Sequence, residues 1–250
     1  MDLNTRGAVR TEPSAKRVRA YLAGRLVADT RHPTLVWEGP RYPAYYLPVR
    51  DVTAELVPTG KTEHSPSRGD AQLYDVRVDG AVAESAAKRY PDSPLPVLRD
   101  LVRLDWPAMS EWLEEDEPVY THPRDPYHRV DILASSRHVR VEVDGVTVAD
   151  SARPVVLFET GLPARYYLPL SDVRTDLLTP TPTQTGCPYK GTATYWTVDA
   201  GHGPHPDLVW AYRAPLAESQ KIAGLACFYN EKVDLYLDGE LQDRPRTHFA

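Results

Sequence analysis

The sequence predicts a mostly β protein made of two copies of one compact domain, and three observations lead there. Prolines and glycines number 24 and 14 in 250 residues, which keeps helices short and turns frequent. Apolar and polar residues alternate through most of the apolar segments, the period of a strand with one side against a core. Finally, a set of residues returns in a single register 121 positions later. Pro33 recurs as Pro154, Glu38 as Glu159, Tyr45-Tyr-Leu-Pro48 as Tyr166-Tyr-Leu-Pro169, Asp51-Val52 as Asp172-Val173 and Leu56 as Leu177. After a one-residue slip Pro66 matches Pro188, Gly69 matches Gly191, Ala71 matches Ala193 and Val76 matches Val198. A repeat of this length is a duplicated domain, because solenoid repeats run to about 20–50 residues.

The elements follow in order. Residues 1–16 are polar and unpatterned and read as a mobile tail. The first domain spans 17–119 and opens with a hairpin, Val18 to Gly24 into Leu26 to Asp29. A short strand at Leu35–Trp37, the Tyr-Tyr-Leu-Pro strand and a helical turn come next, then a loop and the strand after it. Ala83 to Arg103 contains alanine and leucine and is expected to be partly helical. Trp106 to Glu117 supplies the closing strand, with Glu111-Trp-Leu-Glu-Glu standing where Leu235-Tyr-Leu-Asp-Gly stands in the second copy. Residues 120–137 form a linker that its prolines hold extended, and His122 and His128 read as solvated linker residues. The second domain, 138–250, repeats the plan. Its hairpin turns at Asp144-Gly145, its helical turn opens at Ser171-Asp172 as a side-chain cap, and one more helical turn falls between Leu216 and Gly224. The alternation predicts sheets with one wet face.

Composition narrows the function. Charges of 29 basic and 35 acidic residues leave a formal net charge of -6 with both signs interspersed, so no nucleic-acid-binding face is expected. Two cysteines make neither a disulfide framework nor a four-cysteine zinc site, and they suit a reducing, cytoplasmic setting. The first twenty residues lack an apolar run and no stretch reaches the ~18 apolar residues of a membrane helix, so the expectation is a soluble cytoplasmic protein with no membrane partner.

The densest chemistry lies in Thr185-Gly-Cys-Pro-Tyr-Lys-Gly-Thr-Ala-Thr-Tyr-Trp196. Its first-copy counterpart has serine for the thiol and Arg68 for the lysine. Cys187, held on a proline turn, is a candidate nucleophile, and Lys190 three residues on is the group that would lower its pKa. Tyr166, Tyr189 and Trp196, with Tyr167, Tyr195, Trp210 and Tyr212, can wall a pocket for a flat or cationic small molecule, although aromatics at strand positions are more often core. Glu159 and Asp172 complete the candidate ligand-binding set, each echoed in the first copy, where a cap or a structural ion pair explains a retained acid. His202 and His205 with Cys187 are a conceivable metal set, but the glycine-proline loop reads as an exposed connection. No metal or cofactor is expected. A Gly-rich phosphate loop, a nucleophile elbow and a His-Glu-x-x-His helix are all missing.

The motif, preceded by Phe158-Glu-Thr-Gly-Leu-Pro-Ala-Arg-Tyr-Tyr-Leu-Pro169 and followed by Ile222-Ala-Gly-Leu-Ala-Cys-Phe-Tyr-Asn-Glu-Lys-Val-Asp234, resembles the uncharacterised bacterial family of the domain of unknown function 427, in tandem form. The likeness runs from about Arg17 to Glu240, and the match falls on Cys187, Pro188, Tyr189, Lys190 and Gly191. The first copy departs from it at Ser65, Ser67 and Arg68. The resemblance implies a compact β-rich fold similar to that of the Mss4 exchange factor, a fold shared with thiol-dependent methionine sulfoxide reductases and aromatic-cage domains. A nucleotidyltransferase-like label also travels with the family, without phosphate-handling residues here to match it. The leading expectation is a small-molecule-binding pair of β-domains whose pocket, in the second copy, is lined by Tyr166, Tyr189, Lys190 and Trp196 over Cys187. A thiol-dependent enzyme and a protein-interaction scaffold are the alternatives.

Overall fold

The computed structural model describes residues 9–247 and 249. The chain divides into two units, Met1–Asp125 and Pro126–Ala250. Their regular structure is strand and short 3-10 turn, so the fold is mostly β and the two units are similar. Among the described residues no helix is long and apolar enough to cross a membrane.

The first unit contains β1 (Arg10–Pro13), β2 (Val18–Leu22), β3 (Arg25–Thr30), β4 (Thr34–Trp37), β5 (Ala44–Pro48) and β6 (Glu55–Ser65). It continues with β7 (Gly69–Val78), β8 (Ala81–Arg89), β9 (Leu101–Leu104), β10 (Glu111–Glu114) and β11 (Glu117–Pro118). A seven-stranded sheet runs β1-β4-β5-β9-β8-β7-β6, and a four-stranded sheet runs β11-β10-β2-β3. The second unit contains β12 (Val130–Ala134), β13 (Val139–Val143), β14 (Val146–Ser151), β15 (Val155–Glu159), β16 (Arg165–Leu168) and β17 (Leu178–Cys187). Then come β18 (Gly191–Asp199), β19 (Pro204–Tyr212), β20 (Ala226–Phe228), β21 (Asp234–Leu237) and β22 (Glu240–Leu241). Its sheets run β12-β15-β16-β20-β19-β18-β17 and β14-β13-β21-β22, the same plan strand for strand.

Packing explains the plan. The inner faces of the two sheets in each unit share a core, with Val18, Val27, Leu47, Val76 and Trp112 in the first and Val139, Val148, Leu168, Val209 and Leu235 in the second. The large sheet is also apolar on its outer side. Val36, Tyr46 and Tyr90 cluster there in the first unit, and Leu157, Tyr167, Trp210 and Tyr212 in the second. The expected wet face is kept by the small sheet, whose β13 alternates buried and half-buried residues, and by the β6 and β17 ends of the large sheets, which are mostly exposed. A run such as Tyr45-Tyr-Leu-Pro48 has no polar member to leave in water, so both faces need cover. Leu98, on the 3-10 turn Pro96–Leu98, supplies it in the first unit, and the 3-10 turn Ala217–Ile222 in the second.

Several expectations are corrected. Arg10–Pro13 is ordered as β1, paired antiparallel with β4, so structure begins before Arg17; residues 1–8 lie outside the described residues. β12 falls inside the expected linker for the same reason, paired with β15. Ala83 to Arg103 is helical only at the 3-10 turn Pro96–Leu98: β8 and β9 occupy most of the rest, and the small Ala86 and Ala87 are buried where a crowded sheet overrides alanine's helix preference. The closing strand is correctly placed but one residue out of register. Trp112 lies opposite Ala20 as Leu235 lies opposite Val141, so Glu111 corresponds to Asp234, and a one-residue slip exchanges the faces. Ser171-Asp172 does not cap the turn at Leu170–Asp172, which begins at Pro169 without a side-chain cap.

At one edge of each large sheet, β6 and β17 are long and mostly exposed, and each is interrupted by a register shift beside a proline, Pro58 or Pro180. Leu168 is fully buried and Leu241 is 58% exposed. Leu168→Ala is expected to cost the second unit about 2–5 kcal/mol in urea unfolding. Leu241→Ala should stay within about 0.5 kcal/mol of the parent.

Candidate functional site

The motif is a hairpin: β17 ends at Cys187, Pro188-Tyr-Lys190 makes the turn, and β18 starts at Gly191. Gly191 has φ +95°, a left-handed conformation that glycine adopts without strain, and Gly69 repeats it at φ +85°. Behind the turn, Leu216 N–H donates to Lys190 O at 3.1 Å and Ser219 Oγ donates to Tyr189 O at 3.0 Å. The 3-10 turn that covers the sheet thus also clamps the hairpin, and Tyr189 and Lys190 are buried.

Glu159 ends β15, and Lys190 Nζ donates to its Oε2. Val130 lies opposite Glu159 in the β12–β15 ladder, so the residues just before it are delivered to the same carboxylate. His128 Nε2–H donates to Glu159 Oε1 at 3.0 Å, and the Tyr189 ring stacks on the imidazole with centroids 4.3 Å apart. Burial pushes the Glu159 carboxyl up, but the hydrogen bonds from His128 and Lys190 and the ammonium charge outweigh it and hold the group below the usual carboxylate range. Cys187 is half-buried against the aromatic cluster beneath, where burial keeps Tyr167 and Tyr212 neutral by raising both phenols.

The predicted residues divide. Cys187, Tyr189, Lys190 and Glu159 come together. Tyr166 and Trp196 do not join them: both pack against the inner core, on the other side of the sheet. Their immediate neighbours Tyr167 and Tyr195 face the site side, because successive strand residues point to opposite faces. Asp172 is also elsewhere, accepting from Ser151 Oγ at 2.7 Å and from Arg153 Nη2 at 2.9 Å. Those bonds, Arg153's first, hold it well below the usual range. Thr30 Oγ1 bonds Asp51 at 2.6 Å in the first unit, so this retained acid is a structural tie. His202 and His205 lie at the far end of β18 from Cys187, roughly 27 Å away at strand rise, which rules out a shared metal. His205 instead pairs with Asp144 at 2.6 Å. Among the described residues no group of three or more histidine, cysteine or acidic side chains is placed to hold a metal ion.

His128, which the sequence reads as a solvated linker residue, is instead a largely covered participant in the cluster. It sits in a polar, proline-rich stretch whose first-copy equivalent falls before Arg10, so neither periodicity nor the repeat marks it.

The first unit rebuilds the cluster with other chemistry. Glu38 accepts from Tyr46 Oη at 2.6 Å and lies 3.3 Å from Arg103 Nε and 3.9 Å from Arg68 Nε. Arg68 Nε also donates to Tyr90 Oη at 3.3 Å. Arg103 lies opposite Tyr46 as Cys227 lies opposite Tyr167, so the second unit has a neutral thiol where the first has a guanidinium. Burial pushes that thiol up to about 12, which keeps it protonated.

A family model described as a domain of unknown function (DUF427) matches residues 10–115 and again 131–239. The chain therefore belongs to that family, with two domains in tandem. No curated protein matches it.

Lys190→Met would leave Glu159 buried without its ammonium, at an expected cost of about 3–5 kcal/mol at pH 7. A carboxyl whose folded pKa is depressed stabilises above its unfolded pKa of about 4.3, and that stability is lost as pH falls through the folded value. Urea unfolding at a series of pH values should show the gap between parent and variant closing below about pH 4; a gap unchanged down to pH 3 would place the stabilising charge elsewhere.

Proposed function

We propose that the protein is a tandem β-domain binding protein whose second unit takes a small molecule at the face made by Tyr189, Lys190, His128 and Glu159, with Cys187 at its edge. The observation that supports this most is the buried Lys190–Glu159 pair with the imidazole on the second carboxylate oxygen. An ammonium, a carboxylate, an imidazole and a phenol ring converge on one clamped turn, and a ligand with a carboxyl or amino group can exchange with one member of the pair. Desolvating such a pair costs about as much as its attraction returns, so stability alone is a weak reason to bury it. The first unit, with arginines that cannot shed a proton, is suited to holding its sheet together.

The thiol-enzyme reading has less support. The ammonium expected to activate Cys187 is committed to Glu159, and Cys227 is a buried, protonated thiol. No observation favours the scaffold reading over binding.

A thermal-shift screen of metabolites tests the proposal. A ligand at about 100 times its Kd adds ~2.7 kcal/mol to the stability of the domain that holds it. The expected result is a hit that raises the melting temperature of the parent and of Cys187→Ser but not of Lys190→Arg. A screen without hits, or a hit that Lys190→Arg retains, would remove the proposed site.

A further inference from the structure

We infer that the first unit contains a separate cleft for a flat organic cation. The cleft has a volume of about 900 Å³, within the range of small-molecule sites. It lies between the β4–β5 loop, the 3-10 turn Trp106–Ala108, the start of β10 and the segment after β11. Its walls present ring faces already stacked in parallel. Trp106 lies on Trp112 with centroids 4.5 Å apart and planes 4° from parallel. The Trp112 indole is anchored in the core and donates to Trp106 O at 3.2 Å, which leaves Trp106 as the half-buried outer ring. Tyr42 lies on His122 at 3.9 Å and 7°. Tyr42 and Tyr120 are 47% and 48% exposed, unusually open for large aromatics lining one concavity.

Charge selects the sign of the ligand. Arg103, the cation on the wall, is already neutralised by Glu38 at 3.3 Å and Asp105 at 3.5 Å. Lys16 is engaged by Glu114, whose other oxygen accepts from Tyr45 Oη at 2.8 Å. Glu111 is the charged side chain on the wall without an ion-pair partner among the described residues. Ring faces carry negative potential, the guanidinium on the wall is already paired, and Glu111 at the start of β10 adds negative charge to the lining, so the cleft favours a cation. The parallel stacks favour a flat one, inserted as a further ring. This chemistry is confined to the first unit, because the residues in the positions of Trp112 and Tyr42 are Leu235 and Pro163.

Isothermal titration calorimetry of the full chain decides the matter, with N-methylquinolinium as probe and quinoline and 2-naphthalenesulfonate as its neutral and anionic counterparts. Saturable binding of the cation is expected, at least about ten-fold tighter than either counterpart. Glu111→Gln, at an exposed position, should weaken it about five-fold, and Trp106→Ala should abolish it. Should Trp106→Ala fail to fold, Glu111→Gln decides alone. Lys190→Arg should leave the titration unchanged, which separates this site from the one proposed in the second unit. Absent saturable heat, an anion that binds as well as the cation, a Glu111→Gln variant with parental affinity, or loss of binding in Lys190→Arg would each overturn the inference.

Discussion

The Tyr-Tyr-Leu-Pro strand in the interior of each large sheet has no residue to spare for water, and the arrangement of each unit follows from that. One side is covered by the four-stranded sheet, which needs only one apolar face and keeps the alternating pattern of a half-wet strand. The other side must be covered by something that is not a sheet. In the second unit the cover is the 3-10 turn after β19, and because it bonds Tyr189 and Lys190 through their carbonyls, covering the core and shaping the hairpin are one event. The candidate site is a by-product of hydrophobic cover.

Comparison of the two units shows how a shared frame diverges. Each places a carboxylate at the end of the same strand, Glu38 or Glu159, and a cation from the same hairpin turn beside it. The first surrounds its acid with two permanently charged guanidiniums and a neutral phenol. The second has one ammonium, one imidazole and, in place of the other arginine, a thiol that burial keeps neutral. The two sets differ in kind of chemistry and not in shape.

Much of this was legible in the sequence because the signals are local or repeated. The hairpin at Asp144-Gly145 follows from turn chemistry, and the duplication from identities held in one register. What was lost depends on partners distant in the chain. β1 and β12 are strands because β4 and β15 offer an edge, although Ser14 and Ser135, each donating to the carbonyl of a matched proline, extend the repeat upstream and could have revealed them. The faces of Tyr166 and Trp196 could not be assigned from composition, since Tyr-Tyr and Tyr-Trp offer an aromatic to both sides and only one member of each pair can look toward the hairpin turn. His128 reaches Glu159 only through the β12–β15 register, which no local pattern encodes.

Two copies of one fold on a single chain raise a hazard that a lone domain escapes: a strand of one copy can complete the sheet of the other during folding. The interruptions at one edge of each large sheet bear on this. Pro58 in β6 and Pro180 and Pro182 in β17 cannot donate to an incoming strand, and the register shifts beside Pro58 and Pro180 break the straight ladder that such a strand would need. The irregular edges at β6 and β17 disfavour such pairing on that side of each sheet, with the neighbouring copy and with other molecules alike.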